Sequence, residues 1–341
     1  GYRSMSQLMP PEWAPHAATW MAYPPAAYAG SGVSTEDAQQ AWSAVANLVA
    51  DHEPVHMLCR QQNMKSAQKR LTASVTLHEY PLDDAWLRDT GPTFVIKQDT
   101  KATLTAIDWR FNGWGDNTSL QWDADAAIAR HLAALLDIPV ESSRLTNEGG
   151  GVHVDGEGLL VLTETVQLDP GRNPNWSQSD VEAELHRLLG TTEAVWLPRG
   201  LYRDYLPHGT RGHVDIVACC APDGSILLHQ QTDKSHPDAA LFPILKEYLE
   251  LTGRRIHPIP APRCLRDNID WVDYSYINHY VANGVVIVPN FNDRQDAFIH
   301  ELLAEIYPGR AIRSVDARVI FAMGGGVLSI TQQHPSLPNP A

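Results

Sequence analysis

The chain has 341 residues, 43% of them hydrophobic, which is enough to bury a large core. Its formal net charge of −14 leaves no excess of basic residues for a nucleic-acid-binding surface, whereas an acidic protein is compatible with a small cationic substrate. No apolar run of about 18 residues or more is present, which excludes a membrane-spanning helix.

The stretch around Met5 predicts no targeting signal. The segment GYRSMSQLMPPEW lacks the apolar core of a signal peptide, and we interpret Gly1–Ser4 as the remnant of an expression tag. The chain has four cysteines, and their spacing is typical neither of a metal site nor of a disulfide framework; they are Cys59, Cys219, Cys220 and Cys264. We therefore expect a reduced, cytoplasmic protein.

The chain alternates regularly between pairs of strands and amphipathic helices. Apolar residues at helical spacing predict five helices: Thr35–His52, Asp123–Asp137, Ser177–Gly190, His236–Gly253 and Arg294–Gly309. Strand candidates between them pair across the hairpin-type turns DGEG, PDGS and ANG, and Ser179 with Glu182 fits a capping box. The order strand pair, helix, strand recurs about five times with a period of roughly 50 to 60 residues. The sequence therefore predicts an α/β protein with a single domain, 5–341, built from five similar modules.

The segment DDAWLRDTGP brings an acid, an aromatic ring and a turn together. Asp89, two residues before Gly91, is expected at the end of a strand with its carboxylate facing a cavity. A carboxylate beside an indole suits a flat delocalised cation, because the carboxylate accepts its N–H groups and Trp86 forms a wall. A structural ion pair between Arg88 and an aspartate explains the same segment equally well.

Two His-Val-Asp segments occur in the chain, at His153 and at His213. On a strand, residues i and i+2 share a face, so His213 and Asp215 are expected about 7 Å apart, which suits one ligand touched by both. His153 and Asp155 adjoin the turn DGEG, and we interpret them as the polar face of a hairpin. A metal site made of these four residues lacks a third-ligand pattern, and a Ser-His-Asp triad with Ser329 lacks a nucleophile elbow. We therefore favour a single ligand contacted by His213 and Asp215 over both alternatives.

A glycine-rich segment, GGGVLSITQQ, begins at Gly324. Three glycines allow another backbone or a ligand to approach closely, and Ser329 supplies the hydroxyl that follows them. Taken alone, the pattern is also typical of a terminal edge strand entered through a loose turn.

Together these segments resemble the agmatine deiminase family, within the guanidine-modifying enzymes of the pentein fold. The resemblance extends over nearly the whole chain, through MPPEWAPHAATWMAYP, WLRDTGP, NEGGGVHVDGEG, LDPGRNP, GHVD, SYINHYVANGVVIVPNF and ITQQHP. It implies a five-bladed pseudosymmetric ββαβ propeller around a central site, in agreement with the five modules. It also implies a small cationic guanidino substrate, with no organic cofactor and no metal. The oligomeric state stays open, with a homo-oligomer among the alternatives.

The resemblance also assigns roles to residues. In the family a cysteine thiolate attacks the guanidinium carbon, ammonia leaves, and water hydrolyses the resulting thiouronium to a ureido product. Asp89 and Asp215 would each bind guanidinium N–H groups, while His213 would protonate the ammonia and then activate water. Four further residues are expected at the pocket: Trp86, Glu148, Gly325 and Gly326.

The chain departs from the family pattern where the nucleophile is expected. The family usually ends in a G-I-H-C-I-T-Q-Q type sequence, whereas Leu328 and Ser329 stand here at the histidine and cysteine positions. A serine hydroxyl is far less acidic than a thiol of pKa about 8.5, so we expect substrate binding with very slow turnover or none. The alternatives are a deliberate cysteine-to-serine replacement that traps a ligand, a natural guanidino-binding pseudoenzyme, and an amidinotransferase-like relative. The complete binding set and the tag-like N-terminus favour the first.

A second departure concerns the tail of the substrate. Agmatine deiminases typically carry an acid four residues before the GHVD histidine, but Gly209 occupies this position here and Arg211 follows. Loss of an anion and gain of an arginine predict that Arg211 contacts the substrate and favours a carboxylate-bearing tail over the amine of agmatine. Glu148 and Asp155 are the acids that could compensate.

Overall fold

The computed structural model describes residues 6–116 and 121–339. The proposed tag remnant, Gly1–Ser4, and both ends of the 5–341 domain lie outside these residues. The strands in the described ranges are β1 (Ser6–Leu8), β2 (His16–Ala22), β3 (Val55–Cys59), β4 (Val75–Glu79), β5 (Thr93–Gln98), β6 (Ala102–Arg110), β7 (Val140–Thr146), β8 (His153–Val154), β9 (Leu159–Thr163), β10 (Glu193–Leu197), β11 (Ala218–Cys220), β12 (Ile226–Gln230), β13 (Ile256–Pro260), β14 (Tyr280–Ala282), β15 (Val285–Asn290), β16 (Ala311–Asp316) and β17 (Gln332–Pro335).

Helices connect these strands, and several are single turns. They are α1 (Thr35–Ala50), α2 (Met64–Arg70), α3 (Leu87–Thr90), α4 (Gly113–Asp116), α5 (Ile128–Leu136), α6 (Glu164–Gln167), α7 (Gln178–Leu189), α8 (Leu241–Glu250), α9 (Gln295–Ile306) and α10 (Arg318–Ala322). Trp114 and Gly115 interrupt α4 with left-handed backbone angles. In the described part of the chain, none of the helices has both the length and the apolar character needed to cross a membrane.

The described strands form five sheets, and each sheet repeats one pattern. An antiparallel pair is followed by a helix and then by a strand parallel to the second member of the pair. This pattern relates β5, β6 and β7, then β8, β9 and β10, then β11, β12 and β13, and then β14, β15 and β16. The α/β fold and the predicted order strand pair, helix, strand are therefore present. The arrangement of the sheets as propeller blades stays a prediction.

The fifth sheet joins the two ends of the chain. Its order is β17-β2-β3-β4, with β17 antiparallel to β2, so Gln332 lies opposite Trp20. The glycine-rich segment runs into strand β17, so this pairing fixes the position of that segment against the N-terminal part of the fold. The two backbones pair over only a few residues, but the contact joins positions at opposite ends of the sequence.

The predicted helices are all present, with ends that differ by up to five residues. The capping box of α7 uses Ser177 and Asp180, so its prediction at Ser179 and Glu182 is wrong by two residues. Helix α8 begins at Leu241, after turns in which the Ala239 amide donates to the His236 carbonyl and the Leu241 amide donates to the Asp238 carbonyl. Periodicity thus located the helices, while side-chain caps mark the start of only two of the five, α1 at Ser34 and α7 at Ser177.

Candidate active site

One cavity brings together residues from distant parts of the chain. It has a volume of about 580 Å³, including the solvent space at its mouth. Asp89, His213, Asp215 and Ser329 all line it, and each is at least nine-tenths buried. The wall also includes Trp86 and Gly325.

Short helical turns present these four polar side chains. Asp89 lies in α3, Asp215 lies in the 3₁₀ turn Val214–Ile216 that His213 precedes, and Ser329 lies in the 3₁₀ turn Leu328–Ile330. The prediction that Asp89 stands at the end of a strand, and that His213 and Asp215 share a strand, is therefore wrong. A polar pair spaced by two residues is too short to distinguish a strand from a turn. In each turn the backbone bonds locally, which leaves the side chains free to face the cavity.

The Asp89 carboxylate is oriented by two donors. The Trp114 indole donates to Oδ2 at 2.9 Å, and the backbone amide of Gly150 donates to Oδ1 at 3.0 Å. Trp114 itself has φ 60° and ψ 46°, a left-handed conformation that is rare for a bulky residue and concentrates at functional sites. Burial raises the pKa of Asp89, although the nearby His213 opposes this change.

Asp215 and His213 converge with Asp89 on the backbone of Gly150. A Cβ atom at Gly150 would lie 2.6 Å from Asp215 Oδ2, 2.7 Å from His213 Nδ1 and 2.8 Å from Asp89 Oδ1. Asp215 Oδ2 accepts no hydrogen bond from any described residue, and burial raises the pKa of this carboxyl to about 7. Two buried carboxylates and an imidazole therefore meet where only glycine leaves room.

The His213 ring is held from behind by a buried ion pair. Its Nε2 lies 2.8 Å from Glu148 Oε1, and its Nδ1 lies 3.9 Å from Asp89 Oδ2. Arg172 donates to both Glu148 oxygens, at 3.0 and 2.7 Å, and also to Asp169. Burial alone would lower the pKa of His213, but the charges of Asp89 and Glu148 raise it to about 9. Glu148 does not line the cavity; it acts on the ring that does.

The Ser329 hydroxyl is positioned by its own turn and by Asn278. The Gly326 amide donates to Ser329 Oγ at 3.1 Å, and Asn278 Nδ2 lies 3.5 Å from the same oxygen. Asn278 also accepts from the Leu328 amide at 2.7 Å and donates to the Asp215 carbonyl at 3.2 Å. This single amide side chain therefore ties the Ser329 turn to the Asp215 turn. Gly326 contributes a backbone donor and lies outside the cavity wall.

An aromatic wall stands beside Ser329. Trp86 is 4% exposed, packs edge-on against Trp42 of α1 with ring centroids 5.2 Å apart, and donates its indole N–H to the Tyr28 hydroxyl at 2.6 Å. A Cβ atom at Gly325 would lie 2.6 Å from the Trp86 ring and 3.1 Å from Ser329 Oγ. Gly325 is thus needed for the close approach of the glycine-rich segment to the Trp86 ring.

The other sequence motifs have structural roles. Arg88 donates to the Leu328 carbonyl at 3.2 Å and to Gln332 Oε1 at 3.1 Å, so the alternative of an Arg88–aspartate pair is wrong. The His153 ring accepts from the Cys220 amide, and Asp155 accepts from backbone amides in its own turn and from Arg254. The hairpin interpretation of this pair agrees with these contacts. Both residues are engaged away from His213 and Asp215, which argues against the metal alternative.

Arg211 is placed differently from its prediction. Its side chain forms an ion pair with Asp169, Nε to Oδ1 at 3.2 Å, is 41% exposed, and does not line the cavity. Two acids line the cavity instead, Asp204 and Asp273. Neither compensating acid proposed from the sequence takes part, because Glu148 binds Arg172 and Asp155 binds Arg254. The expectation of a carboxylate-binding arginine at the wall is wrong.

Several site residues were not identified from the sequence. Trp114, Tyr28, Asn278, Asp204 and Asp273 lie in segments without a spacing pattern. Asn278 belongs to the segment SYINHYVANGVVIVPNF, which contributes to the family resemblance. Its polar side chain in this largely apolar segment was the signal that could have identified it as a site residue. The two acids gave no such signal, because isolated aspartates in loops are common.

Comparisons with known proteins agree on one family. Residues 8–335 match the family model described as Porphyromonas-type peptidyl-arginine deiminase. A Streptomyces coelicolor protein named "Putative agmatine deiminase" is 49% identical over 339 residues, covering 97% of this chain and 99% of the relative. The agmatine deiminase of Pseudomonas aeruginosa is 35% identical over 362 residues, covering 96% and 95%. The solved structure of the agmatine deiminase of Enterococcus faecalis superposes with a TM-score of 0.89 at 27% identity, covering 98% of this chain and 99% of that chain.

Proposed function

Because the chain belongs to the Porphyromonas-type peptidyl-arginine deiminase family, we propose that its cavity binds a guanidino compound of the agmatine class and is built to hydrolyse one of its C–N bonds. The observation that carries the proposal is the convergence of Asp89, Asp215 and His213 on Gly150, in the cavity that Ser329 lines. Relatives named agmatine deiminase support the substrate class.

Binding follows from the charge and shape of these groups. A guanidinium is flat, carries one positive charge and presents N–H donors along its edges, which suits carboxylate acceptors on two sides. Asp89 and Asp215 would accept these N–H groups, and the Trp86 indole would offer a cation–π wall. The bound cation would lower the pKa of both carboxyls and keep them ionised, since an opposite charge nearby favours the charged form.

The chemistry at position 329 decides the rate. With a cysteine there, the thiolate would attack the guanidinium carbon, and the C–N bond would break as His213 gives its proton to the departing nitrogen, which leaves as ammonia. Water, deprotonated by His213, would then attack the thiouronium carbon; the C–S bond breaks and the ureido product leaves. The pKa of about 9 keeps His213 protonated at neutral pH, as the first step requires. A serine hydroxyl holds its proton too tightly for the same attack, so we expect the present chain to retain substrate.

Two alternatives to a hydrolase are a pseudoenzyme and an amidinotransferase-like relative. Ser329 is what a guanidino-binding pseudoenzyme would carry, and an amidinotransferase-like relative would share the first half-reaction with a different acceptor.

The four cysteines are free, two of them adjacent on β11, which supports the cytoplasmic location expected from their spacing.

The test is the substitution Ser329→Cys. The chain with serine is expected to release no appreciable ammonia from agmatine or arginine-like compounds, whereas Ser329→Cys releases ammonia and ureido product in equal amounts. Ser74→Cys, at an exposed position, is the matched control for adding a thiol and should stay inactive. Robust turnover by the serine form would overturn the thiolate argument. A cysteine variant that binds guanidino compounds but converts none would favour the pseudoenzyme.

A further inference from the structure

A second, smaller cavity adjoins the first at Asp215, which lines both. We call it the inner chamber. It is enclosed and has a volume of about 290 Å³, counting all the space between its lining atoms. Three further polar side chains line it, those of Glu12, Arg88 and His153. The Asp215 carboxyl therefore has a second polar environment, which the chemistry proposed above does not use.

The Arg88 side chain is fixed in the inner chamber by the turn that carries residue 329. It is 3% exposed, its Nε donates to the Leu328 carbonyl at 3.2 Å, and its Nη1 donates to Gln332 Oε1 at 3.1 Å. Gln332 Nε2 donates in return to the Arg88 carbonyl at 3.4 Å. Arg88 Nη2 is buried and has no hydrogen-bond partner within residues 6–116 and 121–339. Such a donor is costly to bury unless water accepts from it, and a polar chamber suits water.

The charge of Arg88 is not neutralised by a contact. Both of its hydrogen bonds end on uncharged oxygens, and no ion pair joins it to a carboxylate in the described part of the chain. The acids nearest to it in the inner chamber are Glu12 and Asp215. A buried charge acts over several ångströms, because the protein interior screens it much less than water does. The guanidinium of Arg88 therefore acts on Asp215 through space.

Other charged groups also act on Asp215 from the elements packed around it. Burial raises the pKa of this carboxyl to about 7, His213 lowers it, Asp89 raises it, Arg88 lowers it and Glu12 raises it. Asp204 and Asp273 line the same cavity and add further negative charge when they ionise. Within this set Arg88 is the permanent cation, since a guanidinium does not lose its proton in proteins, whereas the His213 ring titrates.

We infer that Arg88 is a positioning residue of the guanidinium site, whose fixed charge in the inner chamber favours the ionised form of Asp215 while the cavity is empty. The carboxylate is then ready to accept N–H groups when a cation arrives, and less work is needed to remove its proton. Arg88 does this without touching the substrate. The inference rests on the proposed function, because it assigns Asp215 to the binding of a guanidinium.

The test is calorimetric titration of the unmodified chain, which carries Ser329, with agmatine at about pH 6 and about pH 8.5. The affinity should fall with pH, because binding needs the ionised carboxylate. Arg88→Gln removes the charge but keeps a donor for the Leu328 carbonyl, and it should raise the pKa of Asp215 by about one pH unit. Its affinity should therefore fall roughly fivefold further than that of the parent between the two pH values. Arg88→Lys, which keeps the charge, and the exposed control Arg313→Gln should both retain the pH dependence of the parent.

A second variant tests the charge while Arg88 stays in place. Gln332→Glu has nearly the same shape and sets a carboxylate against Nη1, so it should change the pH dependence in the same direction as Arg88→Gln. If Gln332→Glu keeps the pH dependence of the parent, or if Arg88→Gln and Arg88→Lys weaken binding equally at both pH values, the inference is overturned and Arg88 is only structural. If the parent binds no agmatine at either pH, the proposed function itself has failed, which distinguishes the two failures.

Discussion

Replacing Asp273 by asparagine is expected to stabilise the ligand-free protein, and to do so more at alkaline pH than at about pH 5. The carboxyl is 5% exposed, and its Oδ1 lacks a partner among the described residues. When it ionises in the empty cavity, a charge is created in a poorly solvated place. The amide of asparagine has nearly the same shape and never carries that charge.

The sign and size of the effect follow from the pKa of the group. Burial raises the pKa of Asp273 from 3.8 to about 7, so the folded protein binds a proton that the unfolded chain has already lost. A group with a raised pKa stabilises the folded state below its unfolded value, and this contribution is lost as the pH rises through the folded value. From about pH 5 to pH 7 the loss is about two pH units at 1.36 kcal/mol each, or roughly 3 kcal/mol. Asparagine lacks this loss, so its advantage should appear over that window.

The measurement is urea unfolding of the parent, Asp273→Asn and Asp99→Asn at about pH 5 and about pH 8.5. The free energy of unfolding of Asp273→Asn relative to the parent should rise by roughly 3 kcal/mol between the two conditions, while the exposed control stays flat. If the variant and the parent differ equally at both pH values, Asp273 is already neutralised in the empty protein, and the reasoning is refuted.

Two further substitutions test the guanidinium side of the cavity. Gly150→Ala places a methyl carbon within 2.8 Å of Asp215, His213 and Asp89. The affinity for agmatine, measured by calorimetry, should therefore weaken by more than about a hundredfold. Retained affinity would mean that the three groups do not share one ligand. Glu148→Gln, in the Ser329→Cys background, removes a charge that raises the pKa of His213, so the alkaline limb of the pH–rate profile should move down by about one pH unit. Glu148→Asp, which keeps the negative charge, is the conservative control. If the pH–rate profile of Glu148→Gln does not move, Glu148 has only a structural role.

Much of the fold was accessible from the sequence because it depends on residues close together in the chain. The five long helices were located by apolar spacing, and the hairpins at Gly156, Gly224 and Gly284 were located by turns in which each glycine has a positive φ. The family was recognised through ordered motifs, and these motifs contain Asp89, Asp215 and His213. Each of these signals is complete within a few residues, so no tertiary contact is needed to interpret it.

The sequence by itself therefore determined the modular α/β order, the family and the residues that converge on Gly150. Only the tertiary structure decided what surrounds them. It directed Arg211 to Asp169 and added Asp204 and Asp273 to the cavity wall. The physical reason is that the ionisation and the role of a charged side chain depend on burial and on partners far away in the sequence, and no local pattern specifies either.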